Sequence, residues 1–272
     1  MKRWYLYPFS LVYHFATSLR NLMYDWGILK STSFKTPIIN VGNLSVGGSG
    51  KSPMVMYLAE FLCKTYKTGV LSRGYGRQTK GYGITNYDSN YKTVGDEAMQ
   101  LFERFKNKFV IGVSEARVPG AEKMIEDMDL DVLILDDAYQ HRAIKPGLQI
   151  LMTDYNDPYF KDYVLPAGDL RESRNGASRA QIIMVSKCPA ELTAEQKQYY
   201  ISRIKPRSDQ KVFFSSIGYD ENIYAHNQFL PDNNLSYYDI LLITGIANPK
   251  PLLNHLSKFS QRVKHLKYKD HH

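Results

Sequence analysis

Residues 37–53 read PIINVGNLSVGGSGKSP, and this stretch decides the fold. Residues 37–41 form a short apolar run of strand character, a helical apolar pattern occupies 52–65, and a glycine-rich turn joins them. A triphosphate is held by a ring of backbone amides with no side chain in the way. Gly47, Gly48, Ser49 and Gly50 permit such a ring at a helix N-terminus, where the helix dipole adds to the attraction. Lys51 then reaches the outer phosphates, and the Ser52 hydroxyl is placed to ligate magnesium. Ser45 stands where the P-loop pattern usually has its first glycine.

Outward from this turn, further apolar runs at 69–72, 108–112, 132–135, 149–153 and 181–185 alternate with helical patterns at 96–106 and 118–128. Strand–helix–strand order predicts a P-loop NTPase-like α/β fold, a parallel sheet with helices on both faces. After 185 a polar stretch leads to a strand at 211–215, then an apolar run at 240–244, a helix over 249–259 and a strand at 263–268. The expected organisation is an N-terminal amphipathic helix over 1–30, a kinase-type domain over 31–205, and a smaller second α/β domain over 206–272, shortened at its C-terminal end.

The chain of 272 residues is 43% hydrophobic, enough to bury a core. Its formal charge of +8 suits anionic partners, whether nucleotides, phospholipid headgroups or nucleic acid, and does not choose among them. No nucleic-acid recognition module is legible. Cys63 and Cys188 are the only cysteines; their spacing fits neither zinc nor a disulfide framework, which favours a reducing compartment and a packing role for both.

Residues 4–26 carry Trp4, Tyr5, Tyr7, Phe9, Tyr13, Phe15, Tyr24 and Trp26 among Leu and Val. His14, Arg20, Asn21 and Asp25 are scattered through the segment, which argues against a cleaved signal peptide, and Pro8, His14 and Arg20 break a spanning run. Two readings remain: an amphipathic helix lying in a membrane interface, with Lys2, Arg3 and Arg20 facing anionic lipid, or a helix capping the next domain.

The strand at 132–135 ends in Asp136-Asp137 and resembles a Walker B element facing the same crevice as the P-loop. Adjacent acids cannot both point inward from one regular strand, so one is expected near the metal and the other toward a different part of the site. Asp96, following Gly95 at a helix start, reads as an N-cap. In the loop at 168–174, Arg171 could grip phosphate and Glu172 could join the metal shell.

GNLSVGGSGKSP (42–53), SRGYGR (72–77), GDEA (95–98), EARVPGA (115–121), DDAYQHR (136–142), PAGDLRE (166–172) and the terminal DHH (270–272) occur in the order found in the tetraacyldisaccharide 4'-kinases of lipid A biosynthesis, and the chain resembles that family over nearly its whole length. The resemblance implies phosphorylation of the 4' hydroxyl of a lipid-linked glucosamine disaccharide 1-phosphate with ATP and Mg2+, giving lipid IVA. It also implies work at the cytoplasmic face of the bacterial inner membrane as a peripheral or monotopic protein, held there through the N-terminal segment, with no obligate protein partner. By resemblance Asp96 is the base for the sugar hydroxyl and His271 its partner, which requires the second domain to close over the first. Glu97, Gln140 and His141 match positions for the metal shell or nucleotide contacts, Asp136 and Asp137 for metal and catalysis with Lys51 and Ser52, and Arg73, Arg77, Arg117 and Arg171 for substrate or nucleotide phosphate. The family's DDG element reads Asp136-Asp137-Ala138 here, and a Thr-Glu-Lys-Asp element that follows DHH in the family is absent from the sequence. A P-loop kinase of a soluble small molecule and a nucleotide-switch ATPase are the rival readings.

Overall fold

The computed structural model describes residues 3–219, 222–225, 228–246 and 248–268. The chain divides into two compact units, 1–217 and 218–272. The strands of the first are β1 (Ile38–Asn43), β2 (Thr68–Ser72), β3 (Gly83–Ile84), β4 (Val110–Val113), β5 (Val132–Asp136), β6 (Leu148–Asp154), β7 (Ile182–Cys188) and β8 (Lys211–Ser216). Its helices are α1 (Tyr7–Asp25), α2 (Lys51–Leu62), α3 (Tyr91–Val94), α4 (Asp96–Phe105), α5 (Arg117–Met128) and α6 (Ala194–Ile204).

The strands form one sheet in the order β3-β4-β2-β5-β1-β6-β7-β8, parallel except for the short antiparallel β3. Strands β2 and β5 are buried along their whole length, as expected where helices cover both faces of a parallel sheet. Side-chain alternation sorts the core into two layers. Ile134 of β5, Ile150 and Met152 of β6 and Met184 of β7 point to the face covered by α2 and α4, where Val55, Ala59, Leu101 and Phe102 meet them. Leu133 and Leu135 point the other way onto Ala121 and Met124 of α5. Further along that second face, Leu151, Ile183 and Val185 pack against Tyr200 and Ile204 of α6. The expected parallel sheet with helices on both faces is the fold observed.

Strand order reverses at β1: the chain leaves it toward β2 on one side, returns through β5, and continues to β6 on the other. Ligands of open α/β sheets bind beyond the carboxyl ends of the strands at such a switch point, which is where the glycine-rich turn lies.

The strand expected at 211–215 is present but belongs to the large sheet, where β8 pairs in parallel with β7. The division therefore falls after Ile217 rather than at 205/206, because an apolar strand pattern announces a strand without naming its neighbour. Helix α1 is likewise part of the first unit. Ser10 is its only buried residue, accepting from the Ala167 amide at 2.9 Å, while Asn21 and Arg20 reach Glu172 and the Gln140 carbonyl. The helix thus docks by its polar side. Trp4, Phe9, Val12 and Phe15 are all more than 60% exposed on the outside. No helix among the described residues is long and apolar enough to cross a membrane.

The second unit holds an antiparallel pair, β9 (Asn222–Ala225) with β10 (Gln228–Pro231), and a parallel pair, β11 (Ile240–Thr244) with β12 (Val263–Lys267), linked through α7 (Lys250–Leu256). The strand–helix–strand order expected at 240–268 is the one found.

Candidate active site

The loop between β1 and α2 is shaped by backbone conformations that side chains resist: Gly47 and Gly50 take φ of 107° and 81°, in the left-handed half of conformational space. Its first part is extended. Ser45 forms an isolated antiparallel bridge with Leu170, Val46 donates to the Asp169 carbonyl at 2.7 Å, and Arg171 donates to the Leu44 carbonyl at 2.7 Å. The 166–172 segment is therefore a wall of the loop, and an extended serine serves at 45 where a left-handed glycine is not needed. Lys51 and Ser52 open α2, and the Lys51 ammonium reaches the Gly47 carbonyl at 3.3 Å.

Beside the loop, β5 ends in the two aspartates, and the chain then breaks from extended geometry: Asp137 takes φ 49°, a left-handed value that Asp tolerates better than most residues. This twist returns the second acid to the site. Asp137 lies 3.8 Å from the Lys51 ammonium and accepts from Arg171 at 2.9 and 3.0 Å. Asp136 is buried, and its Oδ1 has no hydrogen-bond partner among the described residues. Burial, then the charges of Glu97 and Asp137, push its carboxyl up to about 7, against the pull of Lys51 and Arg117. Asp137 thus faces the Lys51 ammonium, while Asp136 stays buried at the end of β5.

A buried carboxyl oxygen without a donor among the described residues, a second acid facing the Lys51 ammonium, and the Ser52 hydroxyl that follows Lys51 at the start of α2 offer an all-oxygen set suited to a hard divalent cation. Ser52, Asp136 and Asp137 fit magnesium on that ground.

Glu172 does not. Arg179 grips it with both terminal nitrogens, at 2.9 and 2.8 Å, Asn21 donates at 2.7 Å and Gln140 at 3.1 Å. Its lone pairs are filled by donors, so the expected metal contact is replaced by a buried ion pair. Gln140 joins the same network: its amide nitrogen serves both Glu172 and the Asn43 carbonyl, at the end of β1, so it braces the strand.

The arginines divide. Arg117, expected to grip phosphate, is buried under β5, donating to the carbonyls of Ser114 at 2.6 Å and Asp136 at 3.1 Å, and burial lowers its guanidinium to about 10. Arg77 instead closes the 73–81 loop through Glu115 at 2.6 Å. Arg171 is in the site through Asp137, and Arg73 is exposed. His141 lies where burial and the charges of Arg117, Arg73 and Arg20 press its imidazole down to about 4, so the ring is neutral at ordinary pH amid positive charge.

Asp96 is the first residue of α4; the cap position belongs to Gly95, so the N-cap expected at Asp96 is shifted by one. Gly95 is required there: a Cβ would lie 2.7 Å from the Tyr75 carbonyl oxygen, so the 73–77 loop rests directly on the helix start. The charge of Glu97 acts on both Asp136 and Arg117, which turns this first turn toward the carboxyl end of β5. His271 lies outside the described residues.

Three residues absent from the sequence reading sit at the loop's other side. Ser186 donates to the Ser49 carbonyl at 2.8 Å, and Lys187 donates to the Gly48 carbonyl and to Asp154 at 2.7 Å. Their signal was available: β6 and β7 end at these residues, on the rim where switch-point ligands bind.

The sequence matches the family model described as LpxK, tetraacyldisaccharide-1-P 4'-kinase, over residues 2–272. It is 41% identical over 268 residues to the tetraacyldisaccharide 4'-kinase of Flavobacterium johnsoniae, covering 98% of this chain and 78% of that one. With the protein of the same name from Bacteroides thetaiotaomicron it shares 40% identity over 280 residues, covering 98% and 73%. The fold is similar to the crystal structure of "apo" form LpxK from Aquifex aeolicus in complex with ATP, with a TM-score of 0.80 at 29% identity over 99% of this chain and 82% of that one.

Proposed function

The chain belongs to the tetraacyldisaccharide-1-phosphate 4'-kinase family, and from that premise we propose how its residues carry phosphoryl transfer from ATP to the 4' hydroxyl of a tetraacylated glucosamine disaccharide 1-phosphate. The observation that carries the assignment is the pairing of Lys51 with Asp137 at the glycine loop, next in sequence to a buried Asp136 whose Oδ1 has no hydrogen-bond partner among the described residues.

Loop amides and Lys51 hold the charge of the triphosphate, and Ser52 with Asp136 and Asp137 would hold magnesium. Magnesium supplies neutralisation of charge on the phosphate oxygens when bound. Asp137, tied to both Lys51 and Arg171, sets the positions of these two cations relative to the loop. Asp96 takes the proton from the sugar hydroxyl. Arg73 and Arg20, around the neutral His141, provide the positive surround for the lipid's own phosphate.

The membrane is met through α1. A helix that docks by Ser10, Arg20 and Asn21 and turns Trp4, Phe9, Val12 and Phe15 outward is reversed relative to a helix that caps a core, and suits the headgroup layer of the cytoplasmic face of the inner membrane.

The test is transfer of labelled phosphate from ATP to the tetraacylated disaccharide 1-phosphate in detergent. Transfer that is lost in Lys51→Ala and in Asp96→Ala is expected; near-normal turnover in Asp96→Ala removes the base assignment. A triple variant with Ser at Trp4, Phe9 and Phe15 is expected to leave anionic vesicles in a sedimentation assay while keeping its melting temperature. Undiminished sedimentation with vesicles rules out the membrane role of α1.

A further inference from the structure

We propose that Lys187, with Ser186 and Asp154, is the positioning clamp that sets the phosphate loop for ATP; the inference rests on the kinase reading above. Consecutive residues at the end of β7 donate to consecutive carbonyls of the loop, Ser186 to Ser49 and Lys187 to Gly48. In a trans peptide the carbonyl and the following amide point in opposite directions. Drawing the Gly48 and Ser49 carbonyls toward β7 therefore turns the amides of Ser49 and Gly50 away from it. The Ser49 amide meets the Gly47 carbonyl at 3.2 Å, the same oxygen that Lys51 reaches at 3.3 Å. An amide and an ammonium converging on one oxygen mark the place where an incoming phosphate oxygen competes.

The clamp is built for this position. Lys187 sits at φ 57°, within a register shift that interrupts the pairing of β7 with β8 between Val185 and Cys188. The irregularity aims a strand-end side chain sideways at the loop, as bulges do. Asp154, at the end of β6, holds the ammonium from the other side at 2.7 Å. Ser186 also donates to the Thr153 carbonyl at 3.2 Å, tying the loop to two strand ends at once. The loop is thereby fixed from both flanks: Asp137 faces Lys51 on the β5 side, and Lys187 and Ser186 hold the Gly48 and Ser49 carbonyls on the β7 side.

Lys187 touches neither the acceptor sugar nor the transferred group in this account; it acts through the loop. Lys187→Met keeps the length of the stem and adds no backbone strain at φ 57°, while removing the ammonium. Steady-state transfer with the full chain is expected to show the KM for ATP raised by about tenfold to a hundredfold, the loss of one charge-assisted hydrogen bond and its partner. The KM for the lipid acceptor and the melting temperature should stay near the parent's, and Lys187→Arg should recover part of the loss. ADP affinity by calorimetry should fall by a similar factor, since ADP uses the same amides. An ATP KM and ADP affinity within twofold of the parent overturn the clamp, as does a parallel loss in both substrates with a fallen melting temperature. If the parent transfers no phosphate, the kinase reading fails, and the ADP titration still decides the clamp.

Discussion

Two buried carboxylates lie near the glycine loop and differ in company. Glu172 accepts from Arg179, Asn21 and Gln140, whereas the Asp136 Oδ1 accepts from no donor among the described residues. Burying a charge is costly unless it is paired and hydrogen-bonded, so the first arrangement resolves its cost within the fold and the second leaves it open. The difference teaches that position in a motif does not separate a structural acid from a functional one. Both residues sit in segments resembling family motifs, and only the donor count distinguishes them.

The sharpest way to break this comparison is to remove each charge and keep each shape. Asp136→Asn should reduce turnover by about two to three orders of magnitude, the scale of losing one preorganised electrostatic contact to the transition state. The same variant should be more stable than the parent without ligand, by about 1 kcal/mol or more, because an amide carries no charge to desolvate. Turnover assays and thermal melts of the free protein check the two halves. Unchanged turnover would end Asp136's role in holding magnesium.

Glu172→Gln should do the reverse. It leaves the Arg179 guanidinium, with its 15% exposed side chain, short of a counter-charge, and the expected loss is about 3 kcal/mol of stability, as for breaking other buried pairs. The magnesium requirement of whatever folded enzyme remains should be unaltered. A variant that melts like the parent but needs far more magnesium would restore Glu172 to the metal shell.

A smaller effect follows from pH. The Asp136 carboxyl is raised from 3.8 to about 7, so the folded chain binds a proton more tightly than the unfolded chain between those values. In the free protein this proton's stabilisation is fully present below about 4 and is lost as pH rises through about 7. Magnesium requires the ionised form, so stabilisation by magnesium–nucleotide should move oppositely, weakening by up to about tenfold in affinity per unit as pH falls below 7. Thermal shifts with and without magnesium–ADP across pH 5.5–8.5 measure both slopes, and Asp136→Asn should flatten them.

The sequence carried the sheet because its periods are local: 132–135 and 149–153 read as strands without reference to any partner. It carried the glycine loop because Gly50-Lys51-Ser52 follows a strand and opens a helix. It could not carry what depends on pairing across the fold. The edge position of β8 needs β7, the wall formed by 169–171 needs the bridge to Ser45, and the occupation of Glu172 needs Arg179 and Asn21. Asp137 reaches Lys51 only because its backbone leaves the strand conformation, which alternation alone does not foresee. The docking of α1 by its polar side is of the same kind: composition showed an aromatic helix, and only contacts with 167–172 showed which side was spent.

A third carboxylate completes the comparison. Glu115 accepts from Arg77 at 2.6 Å and from the Gly81 amide at 3.0 Å, yet its side chain is 43% exposed where Glu172's is 3%. Desolvation is the largest single influence on its carboxyl and pushes it up, but the hydrogen bonds from Arg77 and the backbone and the Arg77 charge together outweigh it and hold the carboxyl below the ordinary value. Its contribution is present above the unfolded value near 4.5 and is lost as pH falls through the lowered folded value. Because water already solvates the charge, Glu115→Gln should cost no more than about 1 kcal/mol, and less in high salt. Its visible consequence should be local: the 73–81 loop, closed by Arg77, should exchange its amide hydrogens faster while the sheet does not. A loss comparable to that of Glu172→Gln would mean that burial is not what separates these acids, and the contrast between Asp136 and Glu172 would then need a cause other than donor count in a dry environment.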